Sequence, residues 1–98
     1  MSLPVVWMPE ALADLKQARE WYDAIRHDLG ERFALAVEST IEAIVENPLQ
    51  FPVVHRGRRR AGVWRFPYGI FFEAQDNKIL VIACFHGKRN PTHWQTRP

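Results

Sequence analysis

Arg65-Phe66-Pro67-Tyr68-Gly69-Ile70-Phe71-Phe72, a polar reversal at Gln75-Asp76-Asn77-Lys78 and the seven-residue apolar run Ile79-Leu80-Val81-Ile82-Ala83-Cys84-Phe85 set the plan of the chain. β-branched and aromatic residues fill both runs, and turn-forming residues separate them, so the stretch predicts a β-hairpin. The second strand leads into His86-Gly87-Lys88-Arg89-Asn90-Pro91-Thr92-His93-Trp94, which brings a histidine and two cations to a sheet edge. Pro67 has no N–H to give to a central ladder, so it marks a bend, bulge or junction between Phe66 and Tyr68. Asn90-Pro91 ends regular pairing, which makes residues 92–98 read as a removable tail whose main structural asset is Trp94.

Upstream of the hairpin the pattern is helical. Residues 3–8 are apolar and β-branched and predict a strand; Pro9-Glu10 then suits a first helical turn, where a missing N–H costs nothing and a carboxylate meets the positive end of the helix dipole. Leu12, Leu15, Ala18, Tyr22, Ile25 and Leu29 recur at steps of three or four and define one apolar face. Gly30 reads as the break. Phe33, Val37, Ile41 and Ile44, with Ala36 and Thr40, form a second stripe that ends at Asn47-Pro48. Residues 48–60, with Pro52 and Gly57, read as a basic loop. Strands near 3–8, 61–66, 68–75 and 78–86 with this helical hairpin predict an α+β fold in the order β-α-α-β-β-β: a small, mainly antiparallel four-stranded sheet with both helices on one face.

The 98 residues fit one domain, 1–98, large enough to bury a core without disulfides or metals. Cys84 is the single cysteine and sits inside the apolar run, where it reads as a small core residue. No basic-plus-apolar leader and no run of about 18 apolar residues is present, so a soluble cytoplasmic protein with no membrane association is expected. His27, His55 and His93 are scattered without the spacing of a zinc site, and Gly57-Arg58-Arg59-Arg60 lacks the pattern of a nucleotide-binding loop. No metal or other cofactor is expected. Trp7, Trp21 and Trp64 read as core or partner-interface residues.

Charge divides the chain in two. Residues 1–47 hold nine acidic and four basic side chains, whereas residues 48–98 hold two acidic and nine basic ones. Arg56, Arg58, Arg59, Arg60 and Arg65 fall within ten residues, and Lys88, Arg89 and Arg97 follow the last strand. On adjacent strands these cations would share one field, which favours an anionic partner, either nucleic acid or an acidic protein.

The order R-x-F-P-Y-x-I-x-F, then V-x-I-x-A-x-x-H-x-x-R-x-P-x-x-W, resembles the RelE/ParE superfamily of toxins from bacterial toxin–antitoxin pairs, also called plasmid-stabilisation proteins, and most closely its ParE-like branch. Pro9-Glu10-Ala11 with Leu15, and the P-x-x-F-P segment from Pro48 to Pro52, extend the resemblance over almost the whole chain. The resemblance implies the α+β architecture above and a cognate acidic antitoxin that forms a hetero-oligomer with the toxin. It also implies one of two targets. ParE-like members inhibit DNA gyrase without hydrolysis, and RelE-like members cleave mRNA on the ribosome.

The gyrase reading places target binding on Arg58, Arg59, Arg60, Arg65, His86, Lys88, Arg89 and Trp94. Metal-free RNA cleavage would need a base, an acid and a cation for the phosphate, roles open to His86, Arg65, Tyr68, Lys88 and Arg89. The ribonuclease branch, however, usually carries an arginine where this chain has Gly69, and its catalytic Tyr or His positions fall near Gly87 and Lys88. Those departures favour gyrase, with mRNA cleavage or a non-toxic cationic binding module as the alternatives. His86 fits either a catalytic group or a structural hydrogen-bonding residue at a strand end.

Overall fold

β4 (Tyr68–Ala74) and β5 (Ile79–His86) pair antiparallel from Tyr68 opposite His86 to Ala74 opposite Ile79, and the Gln75 N–H donates to the Lys78 carbonyl at 2.9 Å across the reversal. The register shifts between Phe71, opposite Ala83, and Phe72, opposite Val81. Ile82 is therefore an extra, bulged residue, and the bulge lets an unbroken apolar run keep side chains in both cores of a half-covered sheet. The computed structural model describes residues 3–98, so the first two residues of the predicted domain lie outside it.

The sheet has five strands in the order β1-β5-β4-β3-β2. β1 (Val5–Trp7) lies parallel to β5, and the other pairings are antiparallel. β3 covers Arg58–Gly62 rather than 61–66, and a short β2 at Val53–His55 occupies part of the predicted loop. His55 opposes Arg58, and the two residues between them, Arg56 (φ 44°) and Gly57 (φ 78°), both take the left-handed conformation that a type I′ hairpin needs. The predicted third strand fails physically beyond Gly62. Arg65 has φ 69°, and the Phe66 N–H donates to the Val63 carbonyl at 3.1 Å, so residues 63–67 form the turn that contains Pro67.

The helical hairpin is present as α1 (Pro9–Ile25) and α2 (Leu29–Glu46). Ala11, Ala18 and Tyr22 of α1 and Phe33, Val37, Thr40 and Ile44 of α2 are buried, but Leu12 and Ile25 lie at the margin of their stripe and are 51% and 57% exposed. The break between the helices falls at residues 26–28. Gly30 is inside the first turn of α2, with the Asp23 carboxylate lying over it where a Cβ would stand, so this glycine does not break the helix.

The main core lies between the helices and one sheet face. It includes Phe33, Ile44, Ile70, Phe72, Ile79, Val81 and Cys84. Tyr22, Phe33, Phe66 and Tyr68 form an aromatic cluster at one end of it, with ring centroids 5.0–6.0 Å apart. The opposite sheet face has a smaller core of Phe71, Ala83, Phe85 and Trp94, covered by the short helix α3 (Thr92–Gln95).

Candidate functional site

The end of the sheet where β4 begins and β5 stops is closed by the Gly87 N–H, which donates to the Pro67 carbonyl at 2.8 Å. Cross-strand pairing then sets the Tyr68 and His86 rings edge to face, 5.2 Å apart. The Lys88 N–H donates to His86 Nδ1 at 3.0 Å, so a neutral His86 ring carries its proton on Nε2. Burial pushes the Tyr68 hydroxyl above its ordinary pKa, with the nearby Cys84 adding to the effect; the phenol stays protonated and can act as a hydrogen-bond donor. Arg89 lies over the Phe85 ring with Cζ 4.3 Å from the centroid.

Two cavities of about 400 Å³ flank this end and share His86 and Arg89. On the helix side the walls include Trp21 and Tyr68; on the other side they include Arg60, Phe71 and Trp94. The structure therefore brings Arg60, Tyr68, His86 and Arg89 together, with Lys88 exposed on the adjoining turn. Arg60, Arg65, Lys88 and Arg89 form no ion pair among the described residues.

Other predicted cations are engaged elsewhere. Arg58 is 7% exposed: its Nε donates to Glu73 Oε2 at 3.1 Å, and its Nη atoms donate to the carbonyls of Trp94 and Arg97 at 3.1 and 2.6 Å. Arg97 pairs with Asp14 through both Nη atoms, at 2.6 and 3.0 Å. Arg59 donates to the Phe51 carbonyl at 2.6 Å. Trp94 is buried and stacked on Phe71, with centroids 4.0 Å apart. Arg58 and Trp94 are thus internal ties, and the expectation that they face a partner is corrected by their burial. Arg65 sits apart from the sheet-end cations, over the Trp64 ring at 5.2 Å.

That second location was not legible as a site in the sequence. α2 and residues 62–66 border an open groove of about 750 Å³, lined chiefly by Leu35, Ala36, Phe51, Trp64 and Phe66. Leu35 and Trp64 are exposed at 58% and 64%, so the groove presents apolar surface to solvent. The available signals were Leu35, an apolar residue off the buried stripe of α2, and Trp64, one of the tryptophans read as core or partner-interface residues.

Cys84 belongs to neither location as a reactive group. Burial pushes its thiol up to about 12, and the Asp14 carboxylate adds to the shift. The native protein is expected to resist an aromatic disulfide reagent at neutral pH and to react with one equivalent after unfolding; fast labelling of the folded chain would contradict the buried placement. Among the described residues no three His, Cys, Asp or Glu side chains come together as potential metal ligands, and no helix is long and apolar enough to cross a membrane.

A family model described as the ParE toxin of type II toxin–antitoxin systems, parDE, matches residues 5–91. Among solved structures, a chain described as the chromosomal ParDE TA system from P. aeruginosa aligns with a TM-score of 0.76, covering 87% of this chain and 96% of that one. Identity is 16%, so that likeness concerns the fold. No curated protein matches the chain. The family match runs from β1 through β5 and the turn that carries Lys88 and Arg89, and the chain belongs to the ParE toxin family of type II toxin–antitoxin systems.

Proposed function

We propose that the protein is a cytoplasmic toxin that inhibits DNA gyrase and is neutralised by a cognate acidic antitoxin in a hetero-oligomeric complex. The family match over residues 5–91 carries this reading. The geometry supports it by offering two separate surfaces. The cationic sheet end, with Arg60, His86, Lys88 and Arg89, suits the target. The apolar groove beside α2, flanked by Arg32 and Arg65, suits an antitoxin segment that folds on docking, with charge speeding encounter and apolar burial supplying affinity.

A second reading, mRNA cleavage, draws on one observation: Tyr68, His86 and Arg89 line the same cavity. The chemistry at that cavity supports it less well. A neutral His86 could serve as a base only through Nδ1, which already accepts the Lys88 N–H, and the one carboxylate lining that cavity, Asp14, is tied up by Arg97 and the Cys84 N–H.

The two readings separate in parallel assays of the purified chain. Gyrase supercoiling is expected to be inhibited, mRNA on programmed ribosomes to remain intact, and co-expression of a cognate antitoxin to restore growth. His86→Ala is expected to leave gyrase inhibition within a few-fold of the parent. If the chain instead cuts mRNA, and His86→Ala lowers that rate on the order of 10² to 10⁴ with native circular dichroism, the gyrase reading fails.

A further inference from the structure

Arg60 has a berth built for it. It leaves β3 and lies across β4 at Gly69, where a Cβ would stand 2.6 Å from its Nε, 2.9 Å from Cζ and 3.0 Å from Nη2. Gly62 is the cross-strand partner of Gly69, so two facing positions without side chains leave this strip of sheet open. Gly69 has no positive φ, which means that its missing side chain serves space rather than backbone conformation. The guanidinium also faces the Phe71 ring, with Cζ 5.9 Å from the centroid.

From there Arg60 joins His86 and Arg89 around the cavity on the face covered by α3. Both arginines rest against aromatic rings and lack carboxylate partners among the described residues; Arg89 Nη2 lies 3.5 Å from His93 Nδ1, and its other N–H groups, like those of Arg60, remain for an anion. His86 adds an Nε2–H donor, because its Nδ1 is occupied by the Lys88 N–H. Three donors, one from β3 and two from the end of β5 and its turn, suit a tetrahedral oxyanion better than a carboxylate, whose two oxygens one guanidinium fork already satisfies.

We propose that this cavity is a phosphate-binding site, with Arg60 and Arg89 as charged donors, His86 as a third donor and Gly69 as the residue that positions Arg60. The phosphate is either free or the terminal group of an ester such as a nucleotide. The biological meaning of the site rests on the reading of this sheet end as the target face; phosphate binding itself does not depend on gyrase.

Calorimetric titration of the full chain with inorganic phosphate and with 5′-AMP, at ionic strength held constant with chloride, tests the proposal. Arg60→Ala and Gly69→Ala are each expected to weaken binding about tenfold or more, as loss of a charge-assisted contact does. The double variant is expected to bind no more weakly than Arg60→Ala, because Gly69→Ala acts only by displacing Arg60. The atoms that a Cβ at 69 would meet are the end of a flexible side chain, so Gly69→Ala is expected to keep its thermal midpoint. Equal binding of both ligands would identify the bare phosphate as the recognised group, and tighter binding of 5′-AMP would identify an ester. No binding of either beyond the chloride control, or additive losses in the double variant, would overturn the site whatever the toxicity assays show. Phosphate binding that depends on Arg60, in a chain whose toxicity does not, would support the site and overturn the target-face reading alone.

Discussion

A chain that stops at Pro91 is expected to lose its cooperative unfolding transition. Trp94 covers Phe71 from above and meets the His55 ring edge at 5.8 Å; losing a buried tryptophan of this kind costs about 3–5 kcal/mol. The same deletion removes the carbonyls of Trp94 and Arg97 from Arg58, leaving that buried guanidinium with Glu73 as its one remaining partner. It also removes Arg97 from Asp14, whose carboxylate then keeps only the Cys84 N–H, at 3.1 Å.

Breaking a buried ion pair by removing one member costs about 3–5 kcal/mol, and whole domains are stable by about 5–15 kcal/mol. The combined loss is comparable with the total stability. The reading of residues 92–98 as a removable tail is therefore corrected: no ladder depends on them, but two internal ion-pair systems and the second core do. Urea titration followed by circular dichroism checks the prediction. A truncated chain with a sharp transition near that of the parent would show these ties to be energetically idle.

The fold was legible where periodicity was strong. The apolar stripes of α1 and α2 and the β4–β5 reversal need only local pattern, and all three are found. β2 and β3 were hidden because Arg58-Arg59-Arg60 reads as a solvated run. In the sheet those arginines alternate, Arg58 and Arg60 toward the smaller core and Arg59 toward the side of Phe51, and their stems cover apolar neighbours. The hairpin turn at Arg56-Gly57 also lacks the Asn-Gly or Asp-Gly signal that marks most type I′ turns.

Parts of the site were legible for the same reason. His86 and Arg89 could be placed at a sheet edge because the hairpin delivers them there. The inward turn of Arg58 depends on Glu73 and on carbonyls 36 and 39 residues away, which no local pattern encodes. The berth of Arg60 depends on the register that sets Gly62 opposite Gly69 and Arg60 opposite Phe71. Both follow from pairing, and one residue of slippage would send each side chain to the other face.

Lys88→Ala combined with Arg89→Ala is expected to abolish toxicity while leaving the fold almost untouched. Both side chains are exposed, and neither joins an ion pair among the described residues. The structural loss is then mainly the stacking of Arg89 on Phe85, about 0.5–1 kcal/mol for an exposed cation–π contact. For a chain of this length that corresponds to a shift of roughly 4–8 °C or less in the thermal midpoint. Charges buried against a partner weigh far more: truncating one member of such a pair costs about 2–5 kcal/mol, so two lower target affinity by roughly 10³-fold or more. Trp94→Ala supplies the contrast, because it is expected to lower the midpoint well beyond that range. Growth after induction, gyrase supercoiling and thermal melts of the same variants separate position from chemistry. A double variant that melts like the parent and remains fully toxic would remove Lys88 and Arg89 from the target face and shift the search to the groove beside α2.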